Sequence, residues 1–278
     1  MGMQIDVVLP LACRSHGQDE LARAQILLES LERNAKPGFL RRVWIVSEAN
    51  QKLPVAARLV GRYEPELHFL DERELIGEPS QIRGWHKQQL VKLAAHQLTT
   101  PYYLAVDADC ICHSPIGADQ LIPGGRGVVS PISKSVHPHW WEQTSRTLKI
   151  PLNTEEPRIG VTPQVLSQEI SKQVKLHIET YLHDDWLDFL GGTGQWTEYT
   201  AYDLIARQYR LFDRHHIFGE LSGNNLWRNG DKDKWRLSRH APGFFSVVQS
   251  NTGISAQQVR VQCGALNLLD THHRLKTR

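Results

Sequence analysis

Apolar positions change their spacing several times along the first hundred residues, and each change predicts an element. Gln4 to Leu9 is a short apolar run closed by Pro10, which predicts a first strand. Behind it, Leu21, Ala24, Leu27, Leu28 and Leu31 recur at helical spacing after Asp19, a candidate N-cap, and Pro37 and Gly38 end that helix. Arg42 to Val46 predicts a second strand and Leu67 to Leu70 a third. Trp85 to His96 carries Leu90, Val91, Leu93 and Ala94 and predicts a helix. Pro101 then precedes a strand from Tyr102 to Val106. This alternation implies an α/β fold of Rossmann-like type, a mixed and mostly parallel sheet flanked by helices. The unbroken apolar runs Val7 to Leu9 and Leu104 to Val106 suit strands covered on both faces.

The second half is less regular. Gly124 to Ser130 predicts a strand after a Pro-Gly-Gly turn. Pro163 to Leu190 reads as one broken helix or two successive ones, stopped by Gly191, Gly192 and Gly194. Glu198 to Tyr209 predicts a further helix and Phe244 to Val248 a late strand. With no internal repeat, low-complexity segment or clear linker, residues 1–278 read as a single domain, in which 116–278 elaborate 1–115.

Composition narrows the classes. The length of 278 residues suits one large α/β domain, and 40% hydrophobic residues can fill its core. The 32 basic and 30 acidic residues nearly cancel, so no nucleic-acid partner is expected. The cluster Arg274, Lys276 and Arg278 near His272 and His273 reads as a solvated tail, with weak attraction to an anionic membrane surface as the alternative. Cys110 and Cys112 form a C-x-C pair, but two thiolates do not close a zinc site. Met1 to Pro10 lacks the basic start of a signal peptide, and no apolar run has the ~18 residues of a membrane span. A cytoplasmic protein is expected, with peripheral membrane contact and oligomeric state left open. A Walker motif and a G-x-G-x-x-G after the first strand are both absent.

The candidate chemistry lies in YYLAVDADCIC, Tyr102 to Cys112. Ligands bind at the carboxyl ends of strands in open α/β sheets. Asp107 and Asp109 at such an end can reach one small region. A hard divalent cation there, Mn²⁺ or Mg²⁺, would accept their oxygens and leave positions for water and substrate phosphate. It would neutralise charge on a departing nucleoside diphosphate. A solvated turn is the plain alternative. A haloacid-dehalogenase-type phosphatase also ends a strand in D-x-D. Its motif usually opens the domain, whereas three predicted strands precede this one, and no later Gly-Asp-x-x-x-Asp follows. A non-catalytic nucleotide-sugar-binding protein stays open as well.

GWHKQQLVKL, Gly84 to Leu93, followed by the D-x-D strand, resembles a bacterial group of GT-A-type glycosyltransferases, many known only as a domain of unknown function. The likeness continues at WTEYTAYDLIA, Trp196 to Ala206, and touches GVTPQVL, Gly160 to Leu166, and FFSVVQS, Phe244 to Ser250. Thr197 stands where that group commonly has Ser, and Asp203 where it has Gly. The resemblance implies a GT-A fold and a metal-dependent hexosyltransferase-like enzyme, active in surface glycan synthesis. It would move sugar from a nucleotide-diphosphate donor to a glycan or other hydroxyl acceptor. Asp107 and Asp109 become metal and donor ligands. Arg83, Gln88, Gln89 and Lys92 fall on the donor side, where Lys92 is placed to pair with a phosphate or with Asp107. Arg83 and Trp85 are candidates for sugar or diphosphate contact. Residues 1–115 would form the nucleotide-sugar half and 116–278 the acceptor half.

On the acceptor side, Glu198 opens a helix, where a carboxylate can simply complement the macrodipole. Its functional reading is a general base in an inverting transfer, counted as catalytic together with Asp109. His137, His139, Trp140 and Trp141 cluster, and His139, Trp140, Trp196 and Tyr199 are the candidate acceptor contacts. His240 and Gln249 lie late in the chain, where the resemblance to GT-A enzymes implies a third metal ligand, and the sequence does not select between them.

Overall fold

The computed structural model describes residues 3–11, 17–48, 65–77, 82, 84–152, 157–228 and 235–269. A five-stranded sheet forms its centre. In chain order its first elements are β1 (Ile5–Leu11), helix α1 (Gly17–Asn34), β2 (Leu40–Ser47), β3 (Glu66–Asp71), the short helix α2 (Glu72–Ile76), helix α3 (Gly84–Ala94) and β4 (Tyr102–Ala105). A short strand β5 (Cys110–Cys112) follows the D-x-D turn, and β6 (Gly127–Val129) lies beyond it. Helix α4 (Pro138–Leu148), strand β7 (Gln164–Ser167) and helices α5 (Gln168–His177), α6 (Trp186–Thr193) and α7 (Glu198–Gln208) come next. Strands β8 (His216–Phe218) and β9 (Phe245–Val247) and helix α8 (Ala256–Ala265) complete the elements used below.

The sheet order is β3-β2-β1-β4-β7. The first four strands are parallel, and β7 runs antiparallel to β4 at the edge. Alternate residues of each strand serve opposite faces. Val8, Val46, Tyr103 and Ala105 join the core under α3, α5 and α7. Val7, Leu9, Val43, Ile45 and Leu104 join the core under α1. All seven residues of β1 are buried, as its unbroken apolar run predicts. A third apolar cluster, with Ile26, Trp235, Val248, Ile254 and Val259, seats α8 on α1.

Two expectations need correcting. The helical reading from Pro163 begins too early, because Gln164–Ser167 is the antiparallel edge strand. Val165 and Leu166 are fully buried against β4 and beneath the helices, and two apolar residues are too few to carry a period. Asp19 does not cap α1, which starts at Gly17. Its carboxylate instead accepts hydrogen bonds from Ala256 N at 2.7 Å and Arg23 Nε at 2.7 Å, tying the start of α1 to the start of α8. Among the described residues no helix is long and apolar enough to cross a membrane. The basic residues from His272 to Arg278 lie outside the described residues.

Candidate active site

β4 delivers its chain end to the carboxyl edge of the sheet, and Asp107 follows after Val106. Val106 N donates to Val8 O at 3.1 Å, so the parallel pairing continues to the last residue before the acid. Cys110 N then donates to Asp107 O at 3.0 Å and closes a tight turn that leads into β5. The Asp107 side chain is 39% exposed and the Asp109 side chain 21%.

Asp107 is held by α3. Lys92 Nζ lies 2.8 Å from Asp107 Oδ1, 3.1 Å from Glu198 Oε1 and 2.9 Å from Thr162 Oγ1. Those three partners use all three donors of the ammonium. Burial opposes the charge on Lys92, but Asp107, Tyr199 and Glu198 outweigh it and hold its pKa well above the ordinary value. Burial pushes the Glu198 carboxyl upward, Lys92 pulls it back, and Asp107 adds to the rise. Tyr199 lies under the same cation, with Lys92 Nζ 5.3 Å from its ring centre and its hydroxyl 2.8 Å from Thr162 Oγ1. Gln89, one turn before Lys92, accepts Glu198 N at 3.0 Å through Oε1. Its buried Nε2 has no partner among the described residues.

Helix α7 brings Glu198 to this point for local reasons. Thr197 caps it in a reciprocal box with Thr200, which fixes Glu198 as the first helical residue. Asp203, which departs from the resembled pattern, is fully buried and binds Arg158 at 3.0 Å and Arg207 at 3.1 Å. A glycine there would leave Arg158, itself fully buried, without that carboxylate.

Asp109 is held from the other side of the sheet. Arg23 Nη1 lies 3.5 Å from Asp109 Oδ1 and donates to Val248 O at 2.7 Å. Its Nη2 donates to Ile254 O. Ser250 N donates to Asp109 Oδ2 at 3.2 Å, and Val248 N to Asp109 O at 2.9 Å. Burial pushes the Asp109 carboxyl up to about 7; Arg23 offsets part of that, and Asp107 adds to it. The C-terminal segment thus returns to the D-x-D turn, with β9 antiparallel to β5. Arg23 escaped the sequence reading. Its signal was a cation on the stripe of Leu27 and Leu31, one turn after Asp19.

Two partly exposed carboxylates, one residue apart, are donors suited to a hard cation that completes its shell with water and phosphate. Among the described residues no group of three His, Cys, Asp or Glu side chains could hold a metal. Gln249 is next to Ser250 and therefore beside Asp109, whereas His240 lies in an exposed turn whose backbone N bonds Ser238. Gln88 lines a separate narrow cleft of about 10 Å³ at the ends of β1 and β2, with Pro10, Leu11, Glu48, Glu72 and Lys87. Arg83 lies outside the described residues.

The acceptor candidates divide. Trp196 is 2% exposed and its indole N–H donates to Leu190 O at 2.7 Å, so it is a core residue and not an acceptor contact. Tyr199, 5% exposed beneath Lys92, is likewise closed to an acceptor. His139 is exposed and Trp140 partly so, at the start of α4. A Ser-His-Glu arrangement does form among Ser167, His215 and Glu169, at 3.1 Å and 3.1 Å. Ser167 is 1% exposed, and a buried hydroxyl cannot meet a substrate.

No curated protein matches the chain in sequence. Solved structures do match its fold. Mouse xyloside xylosyltransferase 1, in its apo form, shares 17% identity at a TM-score of 0.56, covering 90% of this chain and 99% of that one. The galactosyltransferase LgtC, solved with donor and acceptor sugar analogues, shares 14% identity at 0.53, covering 98% and 100%. An active-site mutant of LgtC shares 15% at 0.53, with the same coverage. At such identities the likeness is one of fold, and the fold is that of GT-A glycosyltransferases. That excludes the haloacid-dehalogenase-type architecture entertained for the D-x-D strand. The family model for DUF6492 matches residues 2–268, so the chain belongs to that family of unknown function.

Proposed function

We propose that the protein is a glycosyltransferase that takes a sugar from a nucleotide-diphosphate donor to a hydroxyl acceptor with Mn²⁺ or Mg²⁺. The observation that carries this reading is Asp107. It stands at the carboxyl end of β4 in a GT-A fold, partly exposed, with Lys92 fixed 2.8 Å away. The cation would bind Asp107 and Asp109 and supply charge neutralisation for the departing diphosphate. The chain's own part is orientation. Lys92 aligns Asp107, while Arg23 and Ser250 N align Asp109. The rest of the donor would lie over the carboxyl ends of β1 and β2, the sheet edge beside Gln88.

Glu198 takes a different role from the expected base. Its side chain is 7% exposed and paired with Lys92, so it holds that lysine and does not wait for an acceptor proton. Inversion rested on an open base at Glu198 and is not carried into this proposal. Glycan acceptors fit the exposed His139 and the partly exposed Trp140. The test is release of nucleoside diphosphate from a panel of nucleotide sugars with Mn²⁺. Turnover of one donor that falls at least about 100-fold in Asp107→Ala is expected. Phosphate release from phosphomonoesters, without turnover of any nucleotide sugar, would refute the reading.

A further inference from the structure

Every donor of the Lys92 ammonium is already committed, to Asp107 Oδ1 at 2.8 Å, Thr162 Oγ1 at 2.9 Å and Glu198 Oε1 at 3.1 Å. The lysine has no route to water, since it is 3% exposed and packs against Glu198 and Tyr199 of α7. A divalent cation reaching Asp107 therefore meets this ammonium across one carboxylate, in a place where water screens little. Asp109 offers no way round it. Arg23 Nη1 stands 3.5 Å from Asp109 Oδ1, and Ser250 N binds Oδ2 at 3.2 Å. Each acid of the D-x-D turn thus has a fixed cation beside it. A second anion holds each cation in place, Glu198 for Lys92 and Asp19 for Arg23. The two acids also fall short in number. Among the described residues no third His, Cys, Asp or Glu joins them in a group that could hold a metal. A hard cation takes about six or more oxygen ligands, so most of its shell must come from elsewhere.

We propose that Lys92 is a positioning residue that makes metal entry conditional on the donor's diphosphate, so that the cation enters as its nucleotide complex and not ahead of it. The proposal rests on the transferase reading above and adds the order of assembly at that same site. A diphosphate supplies both parts that the free site lacks. Its oxygens are hard anionic ligands, and its charge offsets that of Lys92 and Arg23. When Asp107 turns to the cation, Lys92 keeps Glu198 and Thr162 as partners. The N–H that Asp107 gives up is then a donor for a phosphate oxygen. A lysine that only filled the core would not discriminate between the bare cation and its complex.

Titration calorimetry on the full chain tests this, with MnCl₂ alone and with preformed Mn²⁺ complexes of UDP, GDP, ADP, CDP and dTDP. Wild type is expected to take one complex at least about tenfold more tightly than Mn²⁺ alone. Lys92→Met is expected to bind Mn²⁺ alone about tenfold more tightly than wild type. The double variant Lys92→Met/Glu198→Gln leaves no buried charge unpaired and serves if the single variant fails to fold. It loses an attraction together with the repulsion, so a smaller gain of about threefold or more is expected. Mn²⁺ alone binding wild type as tightly as the best complex overturns the proposal. So does the absence of any gain in the folded variant. Either result spares the transferase reading as long as a complex still binds wild type and is lost in Asp107→Ala. Binding of none of the complexes to wild type refutes the donor reading, and this proposal with it.

Discussion

Asp107 and Asp109 leave the same strand end, yet the molecule holds them by opposite means. On the α3 side, Lys92 is almost wholly buried and shares its charge between Asp107 and Glu198, with Thr162 as third partner. On the α1 side, Arg23 gives Nη1 and Nη2 to the carbonyls of Val248 and Ile254 and Nε to Asp19 at 2.7 Å, and it approaches Asp109 only to 3.5 Å. The first is an ionic cluster whose lysine would keep an anionic partner if Asp107 turned to another ligand. The second is a backbone clamp with the acid at its margin. The difference teaches that Glu198 and Arg23, neither of them at the strand end, set how available the two acids are.

The largest expected effect separates the two clusters. Lys92→Met leaves Glu198 buried without its cation and should cost about 3–5 kcal/mol in urea unfolding. Arg23→Met removes charge-assisted bonds to two carbonyls and to Asp19, but Asp19 and Asp109 are both partly exposed and can turn toward water; about 2–3 kcal/mol is expected. If the arginine variant proves the less stable of the two, the contrast between cluster and clamp is wrong.

A third buried network supplies an uncharged reference. Ser167 N donates to Tyr202 OH, whose hydroxyl can donate to His216 Nε2 at 2.7 Å, while Nδ1 meets Gly127 O at 3.1 Å. That geometry suits neutral imidazole, and burial lowers the His216 pKa to about 3. The folded value lies below the unfolded one, about 6.5. The stabilisation is therefore complete above pH 6.5 and is lost as pH falls toward 3. At pH 5 the loss should be about 2 kcal/mol. His216→Gln should flatten this acid limb, as read by chemical denaturation across pH, and an unchanged limb would assign it to the ionic clusters instead.

Glu198→Gln carries the smallest stability change, about 1 kcal/mol, because the amide can still accept from Lys92. Its sharper readout is Mn²⁺ affinity. With its second anion gone, Lys92 rests on Asp107 alone and competes with the metal, so a several-fold weaker Mn²⁺ affinity by calorimetry is expected. A normal affinity joined to lost turnover would restore Glu198 as a base.

The parallel strands were legible because each is an apolar run bounded by turn residues, and α3 and α7 because their periods are long. The antiparallel edge strand Gln164–Ser167 was not, since its two apolar residues carry no period. The Lys92–Asp107 pair was legible only through the family resemblance, which left a phosphate as the other partner. Ser250 and Asp109 stand 141 residues apart, and no local pattern announces such a contact. Trp196 and Tyr199 show the reverse failure. Their residue types suit a sugar, but the faces they present are decided by packing against Leu190 and Lys92.

The central claim is that Asp107 makes this GT-A fold a metal-dependent donor site. A thermal-shift screen of nucleotide-diphosphate sugars, with and without Mn²⁺, tests it most directly on wild type and Asp107→Ala. The account predicts that one nucleotide raises the Tm by about 3 °C or more only when Mn²⁺ is present, and that Asp107→Ala abolishes the rise. No shift with any nucleotide, or the same shift in Asp107→Ala, would contradict it.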